Sequence, residues 1–90
     1  MAALVTILTP GMTMEGYDRI ASEASASLSS AAGFQIHVAY PSADGLVVME
    51  VWDSADQHMQ WFEENVRPHL PPGTEPSYEV TELHNVLTPP

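Results

Sequence analysis

The chain has 90 residues, two basic side chains against twelve acidic ones for a formal charge of −10, and no Cys. Arg19 and Arg67 are the whole basic inventory, so a nucleic-acid groove is excluded, as is attraction to an anionic membrane surface. Disulfides, thiolate chemistry and cysteine zinc sites are excluded as well.

Hydrophobic residues make up 44% of the chain and charged ones only 16%, which is a globular balance despite the acidity. The length fits one domain over residues 1–90, with 88–90 as a tail. A domain this small buries only about 60–70% of its unfolded surface, so oligomerisation is expected as a further stabiliser. No run approaches the ~20 apolar residues of a membrane span. Met1 to Leu8 lacks a positively charged leader region, so a soluble cytoplasmic protein is expected.

Ala3 to Thr9 is a short apolar run with β-branched residues, closed by Pro10-Gly11, and predicts a strand. Thr13 can cap a helix whose buried stripe is Met14, Tyr17, Ile20, Ala21, Ala24 and Leu28. Gly33 ends the connection. Phe34 to Tyr40 alternates, with Phe34, Ile36, Val38 and Tyr40 on one face and Gln35, His37 and Ala39 on the other. Pro41 to Gly45 predicts a hairpin loop, and Leu46 to Trp52 the return strand. The two wholly apolar faces belong on one side of the sheet. Gln35, His37, Glu50 and Trp52 then share the reverse side, and a direct His37–Glu50 pairing depends on the register.

Ser54 with Gln57 forms a capping box for a second helix, with Ala55, Met59, Phe62 and Val66 as its buried stripe. His58 and His69 read as surface or cap residues. After Pro71-Pro72-Gly73, Ser77 to Leu87 predicts a long last strand. The order β-α-β-β-α-β is an α+β, ferredoxin-like split unit with a four-stranded antiparallel sheet. Two helices cover one face of such a sheet. The other is expected to carry Leu4, Thr6, Leu8, Val48 and Trp52, with Glu50 also on it, which is too apolar to leave in water and predicts a face-to-face homodimer.

The segments GMTMEGYD (11–18), GFQIHVAYPSADG (33–45), VWDS (51–54) and LHNVL (83–87) resemble the dimeric α/β-barrel superfamily, and within it the antibiotic-biosynthesis-monooxygenase (ABM) branch. The resemblance implies a homodimer whose sheets close into a barrel, with a pocket between sheet and helices in each protomer. It also implies a hydrophobic, polyketide-like aromatic ligand. Several such proteins oxygenate these ligands with O₂ and no flavin or metal; others are polyketide cyclases, haem-degrading oxygenases or binding proteins. Trp52 is the position that matches the branch's pocket residues. The haem-degrading pattern needs a first-strand Asn plus Trp and His on the second helix. Here Trp61 fits, no Asn is present in Ala3 to Thr9, and His69 is displaced beyond Pro68.

His37 is the candidate general base or substrate partner, since an imidazole with a pKa of about 6.5 suits proton abstraction near neutrality. The alternative is a structural His satisfied by Glu50. Glu50 is either the orienting carboxylate or a solvated one, and Trp52 either a pocket wall or a packing residue. Tyr17, Trp61, Phe62, Tyr78 and His84 are candidate substrate contacts. His37, Glu50 and His84 match no metal-ligand spacing, so no metal is expected. The function expected is cofactor-independent monooxygenation of a hydrophobic aromatic molecule. A non-catalytic binding or assembly module is the alternative, and a polyketide cyclase or haem-binding protein the third reading.

Overall fold

The computed structural model describes residues 1–90. Strand β1 spans Ala3–Pro10, helix α1 Met14–Ser29, β2 Phe34–Ser42, β3 Gly45–Trp52, helix α2 Ala55–Asn65 and β4 Ser77–Glu82, with a 3-10 turn at Arg67–His69. The sheet is four-stranded and antiparallel in the order β2-β3-β1-β4. This is the expected ferredoxin-like arrangement. No helix is long and apolar enough to cross a membrane.

Both helices begin at the predicted caps. The Thr13 hydroxyl accepts from the Gly16 N–H at 3.0 Å, and the Ser54 hydroxyl from the Gln57 N–H at 3.3 Å. The Gln57 side chain in turn accepts from Ser54 and occupies the space a Cβ would need at Gly33. With φ at +89°, Gly33 must remain glycine to let β2 begin beside α2.

Alternation in β1 is strict. Ala3, Val5, Ile7 and Thr9 are buried toward the helices, while Leu4, Thr6 and Leu8 face the other way. The register then decides β3, where Trp52 pairs with Ala3, Glu50 with Val5 and Val48 with Ile7. Val48, Glu50 and Trp52 therefore lie on the helix side, which corrects the expectation that they share the open face with Leu4, Thr6 and Leu8. Both faces of β3 are apolar, so alternation alone had no sign to choose by. The open face is carried instead by Val47, Met49 and Val51 opposite Tyr40, Val38 and Ile36.

Two further faces and two boundaries differ. A bulge between Phe34 and Ile36 turns Phe34 to the helix side, where its ring meets Trp52 edge-on at 5.5 Å. The hairpin tightens to a two-residue turn at Ala43-Asp44, because Pro41 and Ser42 continue the ladder with Leu46 and Gly45. The last strand stops at Glu82, since no partner strand extends beyond Ala3, although the Leu83 N–H still reaches the Ala2 carbonyl at 2.8 Å. In α2 the buried residues are His58, Trp61 and Phe62, flanked by the half-buried Ala55, Met59 and Val66. The buried face is thus rotated from an apolar count because it includes a histidine.

The core joins Val5, Ile7, Ala24, Trp52, Trp61 and Phe62. Trp52 is fully buried, with Phe34, His58 and Trp61 rings within 5.5 to 5.9 Å. Replacing Trp52 with Ala removes this centre and should cost about 3–5 kcal/mol of stability. Chemical denaturation of the variant beside the parent protein measures it; a loss below ~1 kcal/mol would contradict the packing described.

Candidate functional site

Ala24 is the one buried residue of α1. The rest of its apolar stripe (Tyr17, Ile20, Ala21 and Leu28) is half-buried and lines a cavity of about 450 Å³ between α1, α2 and the sheet. The wall is mainly apolar and includes Ile7, Val48, Trp61 and Phe62. Met14, expected on the same stripe, is exposed.

One polar line interrupts that wall. His37 and Glu50 are directly paired across β2 and β3, so both side chains point to the helix side. His37 Nδ1 lies 2.5 Å from Glu50 Oε2, and His37 Nε2 lies 2.5 Å from the Tyr17 hydroxyl. A carboxylate can only accept, so Nδ1 carries the hydrogen; in the neutral imidazole Nε2 is then the acceptor for the Tyr17 O–H. Glu50 Oε1 accepts from the Trp52 indole N–H at 2.9 Å. Tyr17, His37 and Glu50 all line the cavity. Burial, followed by the charges of Glu50 and Asp18, holds the Tyr17 phenol above its ordinary pKa of 10.0. At neutral pH it stays a donor. Such a line can orient an imidazole and move a proton between the cavity and His37.

His58 completes the cluster and was missed in the sequence. It is 1% exposed, its Nε2 lies 3.6 Å from Glu50 Oε1, and that nitrogen has no hydrogen-bond partner. The expected surface role is therefore wrong. The available signal was position: His58 shares a helical face with Trp61 and Phe62 at spacings of three and four. Burial lowers the His58 pKa from its ordinary 6.5, while the Glu50 charge opposes that shift.

The other predicted residues separate clearly. Trp61 and Phe62 line the cavity, and the Trp61 indole N–H donates to Ser27 Oγ at 3.2 Å. Trp52 lies beneath the wall as a support for Glu50. Tyr78 stands outside, edge-on to Phe62 at 5.5 Å, with its hydroxyl accepting from Arg67 at 3.0 Å. His84 is exposed beyond the end of β4. It does not approach His37 and Glu50, so the sequence grouping of these three is not a site. No group of three or more His, Asp or Glu side chains converges as metal ligands. His69 meets Glu23 at 2.9 Å on the surface, outside the cavity.

No protein-family model matches the sequence, and no curated protein matches it. Solved structures do match in shape. SnoaB, a cofactor-independent oxygenase from Streptomyces nogalater, superposes with a TM-score of 0.65 at 15% identity, over 96% of this chain and 95% of that one. A monooxygenase from ActVA-Orf6 of Streptomyces coelicolor, in complex with nanaomycin D, gives 0.59 at 13% identity over 99% and 92%. The chain shares the fold of these two proteins. The similarity expected from GMTMEGYD and VWDS thus holds at the level of architecture, while identities this low carry no residue roles across.

The His58 environment sets a pH dependence. Its folded pKa lies below the ordinary 6.5, so the unfolded chain takes up a proton in acid that the folded chain does not. This contribution to stability is complete above about pH 6.5 and is lost as pH falls below it. Denaturation midpoints should fall between pH 7.5 and 5.5, and His58→Gln should flatten that fall. An identical pH slope in the variant would contradict a buried, unpartnered His58.

Proposed function

We propose that this chain is a cofactor-independent monooxygenase of hydrophobic hydroxyaromatic molecules, working as a homodimer. The observation that carries the reading is His37 Nε2, an acceptor on an apolar cavity wall, oriented from behind by Glu50. The structural neighbours, a cofactor-independent oxygenase and a monooxygenase, support it by shape. The cavity falls within the ~300–1,000 Å³ of ordinary ligand sites, which favours ligand chemistry over a sealed assembly module.

In this mechanism the substrate hydroxyl takes the place of the Tyr17 hydroxyl at His37 Nε2 and gives up its proton there. The phenolate charge spreads onto a ring carbon that still bears hydrogen. That carbon passes an electron to O₂, and the radical pair joins to form a C–O bond. The His37 imidazolium returns its proton to the peroxide. Loss of water, with the hydrogen on that carbon and cleavage of the O–O bond, leaves a carbonyl. One phenol and one O₂ yield one quinone and one water. Tyr17, kept protonated by its surroundings, donates a hydrogen bond to the substrate oxygen as charge builds.

His37→Ala should lower turnover of an accepted substrate about 10²- to 10⁴-fold with the fold intact by circular dichroism. With ¹⁸O₂, one labelled oxygen should enter the product. Unchanged turnover in the variant would end the mechanism.

Dimerisation rests on the uncovered sheet face. Ile36, Val38 and Tyr40 are 51, 47 and 48% exposed, and Leu4, Leu8, Met49 and Val51 adjoin them on the central strands. Such a patch on a small acidic protein suits a second copy. Sedimentation should give twice the chain mass, and Val38→Glu should shift it to the monomer. A monomeric parent protein at micromolar concentration would contradict this part of the proposal.

A further inference from the structure

Of the 21 residues that line the cavity, only His37 and Glu50 can carry charge near neutral pH, and 15 are hydrophobic. No Arg is among them, and the chain has no Lys. Arg19 lies on the outside of α1, 3.9 Å from Glu15, with 72% of its side chain exposed. Arg67 is held by Glu63 at 2.6 Å and by the Tyr78 hydroxyl at 3.0 Å, outside the cavity. An anion entering the cavity therefore gives up its water and meets no fixed cation; the one ring that can take a proton, His37, is already paired with Glu50. The anion meets the Glu50 carboxylate instead, in surroundings that screen charge poorly. The formal charge of −10 works in the same direction at longer range.

A cation gains little in exchange. Glu50 Oε2 is occupied by His37 and Oε1 by Trp52, and only 3% of the side chain is exposed. An ammonium group would lose its water without reaching a free carboxylate oxygen. A neutral hydroxyl meets neither cost. It can donate to His37 Nε2 in place of Tyr17, and its aromatic body covers apolar wall.

We infer that the cavity selects its ligand by charge: it takes an uncharged aromatic bearing a hydroxyl group and rejects the corresponding carboxylate. The inference deepens the substrate class of the proposed oxygenase. It rests on the ligand-binding half of that reading and not on turnover.

Equilibrium binding to the full chain at pH 7.5 without O₂ tests it, using 2-naphthol, naphthalene, 2-naphthoate and 2-naphthylmethylammonium as probes. The expected order places 2-naphthol first, about tenfold tighter than naphthalene. 2-Naphthoate should bind at least about thirtyfold more weakly than 2-naphthol. Glu50→Gln should narrow the gap between naphthol and naphthoate, and His37→Phe should abolish the advantage of naphthol over naphthalene. If a variant fails to fold, the order of the four probes on the parent protein still decides. Binding of either charged probe as tight as 2-naphthol would overturn the inference. The predicted order without O₂ uptake on aeration would retain it and remove the oxygenase reading. O₂ uptake with a tighter-bound naphthoate would do the reverse.

Discussion

The constraint on which this structure depends is a carboxylate placed inside a small core. Glu50 is 2% exposed in the middle of β3, where a lone charge is heavily penalised. It is tolerated because two N–H groups converge on it: the Trp52 indole on one oxygen, and His37 Nδ1 on the other. Neither donor is free to be elsewhere. Trp52 stands two residues along the same strand, on the same face, and His37 stands directly across the ladder. Holding the carboxylate also fixes the imidazole, since Nδ1 is engaged and Nε2 must turn toward α1. His37 Nε2 is thus oriented by the same bonds that make Glu50 burial acceptable.

The cavity follows from how α1 lies over this line. Ala24 and Leu28 pack against the core, while Ile20 and Ala21 face the open cavity and Tyr17 spans it to reach His37. Apolar walls that face empty volume forgo dispersion contacts that a close-packed core would have. α2 behaves oppositely, with His58, Trp61 and Phe62 packed down around Trp52. One helix closes the core and the other leaves room for a ligand. Against this division, the acidic surplus has a clear distribution. Apart from Glu50, the acidic side chains are exposed, so the net charge forms an outer shell with a single negative group inside.

Much of this was legible in the chain. Pro-Gly breaks, the Thr13 and Ser54 caps and the alternation of β1 and β2 were enough for element order and fold class. Strand faces were harder. Val47, Met49 and Val51 on one side of β3 compete with Leu46, Val48 and Trp52 on the other, and only pairing with β1 selects between them. Phe34 was misplaced because a one-residue bulge reverses a face, which no periodicity at that length reveals. The His37–Glu50 pair was visible as a possibility since two polar residues in adjoining apolar strands demand each other. His58 was not, because a histidine on an amphipathic helix reads as surface until a buried carboxylate is known to lie opposite.

Glu50 fixes His37 with Nε2 turned toward the Tyr17 hydroxyl and the cavity. Nitrogen-detected NMR of the ¹⁵N-labelled imidazoles at pH 8.5 measures this directly, with His37 assigned by its loss in His37→Phe. An Nδ1–H tautomer is expected, with the Nδ1 proton shifted downfield by its carboxylate acceptor and Nε2 unprotonated. An Nε2–H tautomer at His37 would contradict it.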